Sequence, residues 1–193
     1  MANNDAPFGC KPIGQNGGAY NGQFDLMYMP AGDATVLAVG DLVKLVANGD
    51  ADGVPTCDIV AAGDTVCGIV VGFDWRDSSQ ENLPNYKPAS TEAYVQVATD
   101  PNLRFIIQED SDGGALAATD IGSNANIATY VAANSTTGRS QIELDSSTAA
   151  DTSTLDLHIH RLYPVDNNEI GTNAIWECSF NIHQYGSVGV TAI

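Results

Sequence analysis

Turn-forming residues cut this chain into short pieces, and that punctuation limits its fold more than any other feature. From Ala31 onward the apolar runs TVLAVGDLVKLVANGDADG, DTVCGIVVGFDW, EAYVQVATDPN and LRFIIQED, then SQIELDSS, LDLHIHRLYP and AIWECSFNIHQ, are separated by Gly, Asp, Asn and Pro. Apolar runs this short with turn residues at their ends read as strands. The expected fold class is all-β, a β-sandwich or a small β-barrel, with long loops. Only GGALAATDIGSNANIATYVAA has enough Ala for a helix, and Gly122, Ser123, Asn124 and Asn126 interrupt it, leaving one or two helical turns at most.

Two runs indicate which faces are buried. In AIWECSFNIHQ, period-2 alternation places Trp176, Cys178, Phe180 and Ile182 on a packed face, with Glu177, Ser179, Asn181 and His183 on a wet one. In CGIVVGF both faces are apolar or Gly, which suits a strand covered on both sides or one that another backbone approaches closely. The first 25 residues, MANNDAPFGCKPIGQNGGAYNGQFD, are rich in turn formers and read as an extended arm. Residues 26–193 then form a single β domain, with room for a small lobe around 31–75.

The chain of 193 residues can bury a real core, and its 44% hydrophobic content excludes disorder. Seven Lys and Arg stand against 24 Asp and Glu, for a formal charge of −17. Such a surface repels a phosphate backbone and an anionic membrane, so neither nucleic acid nor membrane is an expected partner. The N-terminus lacks an apolar signal core, no run reaches membrane-spanning length, and synthesis in a cytosol is expected. Cys10, Cys57, Cys67 and Cys178 show no C-x-x-C spacing, which in a reducing compartment favours buried free thiols over disulfides.

Three constellations could carry chemistry. Glu109, Asp110 and Asp112 in IQEDSDGG could offer oxygens to a hard cation, yet Gly113 stands where an EF-hand-like loop needs its next ligand, so a strand-ending turn is the stronger reading. Asp50 and Asp52 in NGDADGVPT raise the same question, and the Asn-Gly and Asp-Gly pairs answer it with a hairpin. On a strand, Asp156, His158 and His160 share a face, as in sheet-borne metal sites, and a symmetric hairpin would bring His160 near Glu177 and Asp156 near Asn181. His158 and His160 are thus weak metal candidates, against an ordinary sheet face with a cross-strand His/Glu pair. No phosphate loop or nucleophile motif is present, no cofactor is expected, and an enzyme is not the expected function.

The phrases PFGCKPIG, YNG, GDLVKL, CGIVVGF, YKPAST, IQEDSDGGALAATDIGSNA, IELDSST and DNNEIGTNAIWECSFNIHQ, in this order from Pro7 to Gln184, resemble the capsid cement or decoration proteins of tailed bacteriophages. Cys10 departs from the aromatic expected at that place in the motif. The resemblance implies a virion protein on the outside of an icosahedral head that bridges neighbouring major capsid subunits and assembles with itself, as a homotrimer or a dimer. Under that implication Pro7, Phe8, Pro12, Tyr20 and Phe24 are apolar anchors of the arm, and Glu109 and Asp112 could meet basic capsid residues. The alternative that these anchors tuck against the chain's own core is equally open. Two other classes remain: a carbohydrate- or receptor-binding β module of a tail or fibre, stacking through Trp75, Tyr86 and Trp176, and a jelly-roll metalloenzyme built on His158 and His160.

Overall fold

The structure is a computed structural model that describes residues 3–76, 84–128 and 131–186. Its strands are β1 (Lys11–Gln15), β2 (Gly18–Ala19), β3 (Asp25–Met29), β4 (Leu37–Ala38), β5 (Leu42–Gly49), β6 (Pro55–Ile59) and β7 (Gly68–Asp74), followed by β8 (Tyr86–Lys87), β9 (Ala93–Ala98), β10 (Leu103–Gln108), β11 (Asn124–Ala125), β12 (Leu157–Leu162) and β13 (Ile175–Phe180). Helical structure among the described residues is two 3₁₀ turns, Ala118–Asp120 and Ser146–Thr148, the first inside the Ala-rich stretch. No helix among them is long and apolar enough to cross a membrane. The chain is all-β, and both expected architectures contribute to it.

One half is a closed barrel in the order β3-β6-β5-β7-β9, in which only β3 and β6 run parallel. The barrel spans Asp25 to Ala98 and is wider in sequence than the lobe expected at 31–75, because β9 is needed to close the ring against β3. Met27, Met29, Val43, Val70, Val95 and Val97 fill its interior. Asp50 shapes the β5–β6 turn: its Oδ1 accepts the Asp52 and Val54 amides at 2.9 and 2.8 Å, and Gly53 takes φ 83°. The Asp50/Asp52 loop is therefore the hairpin its dipeptides predict.

The other half is a six-stranded sheet, β11-β12-β13-β10-β1-β2. Its inner face carries Phe105, Ile107, Leu157, Ile159, Trp176 and Cys178, all fully buried. The N-terminal segment corrects the expectation of an unpacked arm. Strand β1 pairs antiparallel with β10, matching Lys11 to Ile106 and Pro12 to Phe105, and Cys10 is buried in the core. The small thiol fits where the Cys10 amide bonds Gly40 O at 2.8 Å, tying the segment to the barrel side.

The two halves share walls. Leu42 and Ile69 face the sheet core while their neighbours Val43 and Val70 face the barrel interior, so β5 and β7 are covered on both sides. The doubly apolar CGIVVGF run has that origin. Two strand readings fail. SQIELDSS forms only isolated bridges at Leu144 before a 3₁₀ turn that the Asp145 side chain caps. The wet face predicted opposite Trp176 is not wet: within β13 Glu177 is buried and paired with Arg104 and Arg161, and past Phe180, where the strand and its alternation end, Asn181 and His183 are buried and Ile182 is not. There Asn181 Nδ2 turns inward to the Ser153 and Leu155 carbonyls at 3.1 and 2.8 Å.

Candidate functional site

The histidine pair lies where the sequence places it but is bound differently. The β12–β13 register matches Leu157 to Phe180, His158 to Ser179 and Ile159 to Cys178, then slips by one residue so that Arg161 faces Glu177. A bulge at His160 causes the slip. His160 Nε2 thus meets Ser179 Oγ at 2.8 Å and His158 Nδ1 meets Asn124 Oδ1 at 2.7 Å, with the rings 4.7 Å apart. Asp156 precedes the strand and turns inward, accepting from the Gly63 and Ile127 amides at 3.4 Å. It does accept the Asn181 amide on its main-chain carbonyl at 2.9 Å, as a symmetric hairpin requires.

Burial and the nearby Arg104 guanidinium depress both imidazoles, His160 to about 3, so the rings are neutral near pH 7. A neutral His160 against Ser179 has the contact of a base and a nucleophile. The Glu177 carboxylate that would complete a triad is held instead by Arg161 at 2.7 Å and Arg104 at 3.6 Å. Among the described residues no three His, Cys, Asp or Glu gather as metal donors.

The acid cluster divides. Glu109 is fully buried, accepting from the Leu116 amide at 2.9 Å and the Trp176 indole N–H at 3.2 Å, and burial raises its pKa. It is a core residue and not the partner contact expected of it, because the carboxylate satisfies two donors that would otherwise be buried alone. Asp110 accepts the Ser146 hydroxyl at 2.9 Å, and Asp112 alone of the three is exposed. The stretch is a turn in which Ser111 and Gly114 take φ 60° and 101°.

The proposed anchors scatter. Tyr20 packs on the sheet core with its hydroxyl donating to Gln23 O at 2.8 Å, Pro7 is half-buried, and Phe24 is 43% exposed. Phe8 and Pro12 come together in a groove of about 710 Å³, with Val39, Tyr163 and Val165 beside them and Lys11 and Arg139 also lining it. Five of the seven cations are engaged elsewhere. Lys44 pairs with Asp64, Arg76 with Asp52 and Asp74, Arg104 and Arg161 with Glu177, and Lys87 Nζ donates to the Asp33 and Thr35 carbonyls. Among the described residues no carboxylate lies within salt-bridge distance of Lys11 or Arg139. Sequence reasoning found Phe8 and Pro12 but missed the other walls, which come from six segments distant in sequence; only Lys11, between its two neighbours, carried a local signal.

The aromatic candidates are largely occupied. Trp176 is buried, Trp75 donates its indole N–H to Pro84 O at 3.0 Å and stacks on Phe73 at 5.7 Å, and Tyr86 is half-buried. All four cysteines are free and buried, and burial pushes the Cys57 and Cys67 thiols up to about 12.

Comparison of the chain with known proteins finds no matching family model, no matching curated protein and no matching solved structure.

Proposed function

We propose that this chain is a structural virion protein that binds the outer surface of a bacteriophage capsid and stabilises the shell by bridging neighbouring major capsid subunits. The ordered phrases from Pro7 to Gln184 suggest it, and one structural observation carries it. Most groups able to do chemistry are held by partners within the chain: Glu109 by Trp176, His158 by Asn124, and Glu177 by two arginines that keep it from the His160–Ser179 pair. What faces solvent includes large apolar side chains, Phe24, Ile121 and Val131 among them, and acids such as Asp112 that have no ion pair among the described residues. That distribution suits contact-making better than turnover. A passive clamp needs only modest affinity at each copy, because symmetry repeats the contact around a shell.

The carbohydrate-binding alternative has less support, since Trp176 is inside the core and Trp75 is committed to Phe73 and Pro84. The decisive experiment mixes purified protein with undecorated expanded heads and images the particles. Ordered density at on the order of hundreds of symmetry-related positions per particle is expected. Bare shells, or only a few copies at one vertex, would refute the reading.

A further inference from the structure

The groove lined by Phe8 and Pro12 has a complement on the same molecule. Val165 is 47% exposed and lines the groove, and it opens the β12–β13 loop, whose next residues are Asp166, Asn167, Asn168, Glu169 and Ile170. Asp166 and Glu169 are exposed without an ion pair among the described residues, and Ile170 is 47% exposed.

This loop is shaped in advance. Asn168 donates through Nδ2 to the Tyr163 and Ile175 carbonyls, each at 2.8 Å, and accepts the Ile175 amide at 2.9 Å, pinning the loop base. Asn3 clamps the tip, its Nδ2 donating to Glu169 O at 2.8 Å and Thr172 O at 3.0 Å while its Oδ1 accepts the Glu169 amide at 3.0 Å. A large apolar side chain held in solvent by a hydrogen-bonded frame has already met much of the ordering cost of a contact.

We infer that the groove receives the Asp166–Ile170 loop of a second copy, the two copies related by a two-fold axis. The chemistry matches in each part. Ile170 supplies apolar surface to a cleft walled by Phe8, Val39 and Tyr163, while Asp166 and Glu169 meet Lys11 and Arg139, the two cations without an ion pair among the described residues. Groove and loop lie side by side, since Val165 belongs to both, and a surface carrying a feature next to its own complement is suited to an isologous pairing. At physiological ionic strength the Debye length is about 8 Å, which screens the repulsion of two −17 chains beyond the contact while leaving close pairs attractive. The pairing needs no shell, so it stands or falls separately from capsid binding.

Sedimentation velocity on the full chain at about 100 μM in physiological salt tests it. The wild-type chain is expected to be a dimer, and Lys11→Glu/Arg139→Glu and Asp166→Lys/Glu169→Lys, each alone, folded monomers by circular dichroism. In a two-fold dimer an equimolar mixture of these two variants has opposite charges at both of its contacts, so mixing should restore the dimer. Ile170→Asp should remain monomeric in every mixture. A monomeric wild type, a trimer, variants that stay dimeric, or a mixture that fails to associate would each overturn the pairing.

Discussion

At the residue scale, the sequence shows where a side chain belongs when its neighbours in sequence decide the matter. Gly68 is such a residue: CGIVVGF suggests close backbone approach, and a Cβ at Gly68 would run into the Ala98 carbonyl oxygen across the β7–β9 ladder. Gly68→Ala is expected to lower stability by about 1–3 kcal/mol in urea unfolding with little change in the denaturant slope. Lys87 is the opposite case. YKPAST reads as an ordinary surface lysine, yet Lys87 is fully buried, with Nζ donating to Asp33 O at 3.1 Å, Thr35 O at 2.9 Å and Pro88 O at 3.4 Å. Nothing local reveals that the distant segment carrying Asp33 and Thr35 will close over it. Lys87→Met keeps the volume but takes the ammonium donor from three carbonyls, of which Asp33 O retains the Ser90 amide at 2.8 Å, and a loss of roughly 2–4 kcal/mol is expected in the same measurement.

At the element scale, strands with strong alternation or doubly apolar faces were legible and pairings between distant segments were not. The inward set Trp176, Cys178 and Phe180 follows from period 2, and the β12–β13 register follows from hairpin symmetry until the bulge at His160 shifts it. Strand β1 escaped because KPIGQ is short, contains Pro and Gly, and gains its strand character from pairing with β10 and β2. The candidate groove was hidden for a related reason, since Val39, Arg139 and Tyr163 meet Phe8 only after barrel and sheet have packed.

The position of β1 also changes what a truncation would do. Removing residues 2–24 takes away β1 and β2, the core thiol of Cys10, and the reciprocal bonds of Gln108 with the Ala6 amide at 3.0 Å and the Asn4 carbonyl at 2.8 Å. Strand β10 then becomes a bare edge of the sheet. The shortened chain is expected to lose its cooperative melt, with β10 amides exchanging freely while β7 and β9 amides in the barrel stay protected. A truncated chain that melts cooperatively near the full-length temperature would show that β1 contributes little.

At the scale of the whole molecule, buried titratable groups act on stability in opposite directions. Burial raises Asp41 and Asp156 to about 6 and Glu143 to about 7, so between those values and the ordinary carboxylate range the folded chain holds protons that the unfolded chain has released. These three stabilise increasingly as pH falls through that window, and their contribution is lost as pH rises through 6 to 7. Burial depresses His158, His160 to about 3 and His183 to about 4, so below the ordinary histidine value of 6.5 the unfolded chain takes up protons that the folded chain refuses. These three destabilise increasingly as pH falls. His160 and His183 oppose the three raised acids between pH 4.5 and 6, with His158 acting in the same direction as the other two histidines, and the melting temperature is expected to change little there. Below about pH 4 stability should drop steeply, because the raised acids are then protonated in both states. Asp50, Asp64 and Asp100, whose carboxylates are lowered by their hydrogen bonds, lose that advantage in the same range. Single substitutions separate the opposing sets. His160→Gln should make the melting temperature rise as pH falls from 6 to 4.5, and Asp41→Asn should make it fall over the same interval. Thermal melts of the three proteins at half-unit steps of pH would decide it, and parallel curves for all three would mean that neither group titrates as its burial implies.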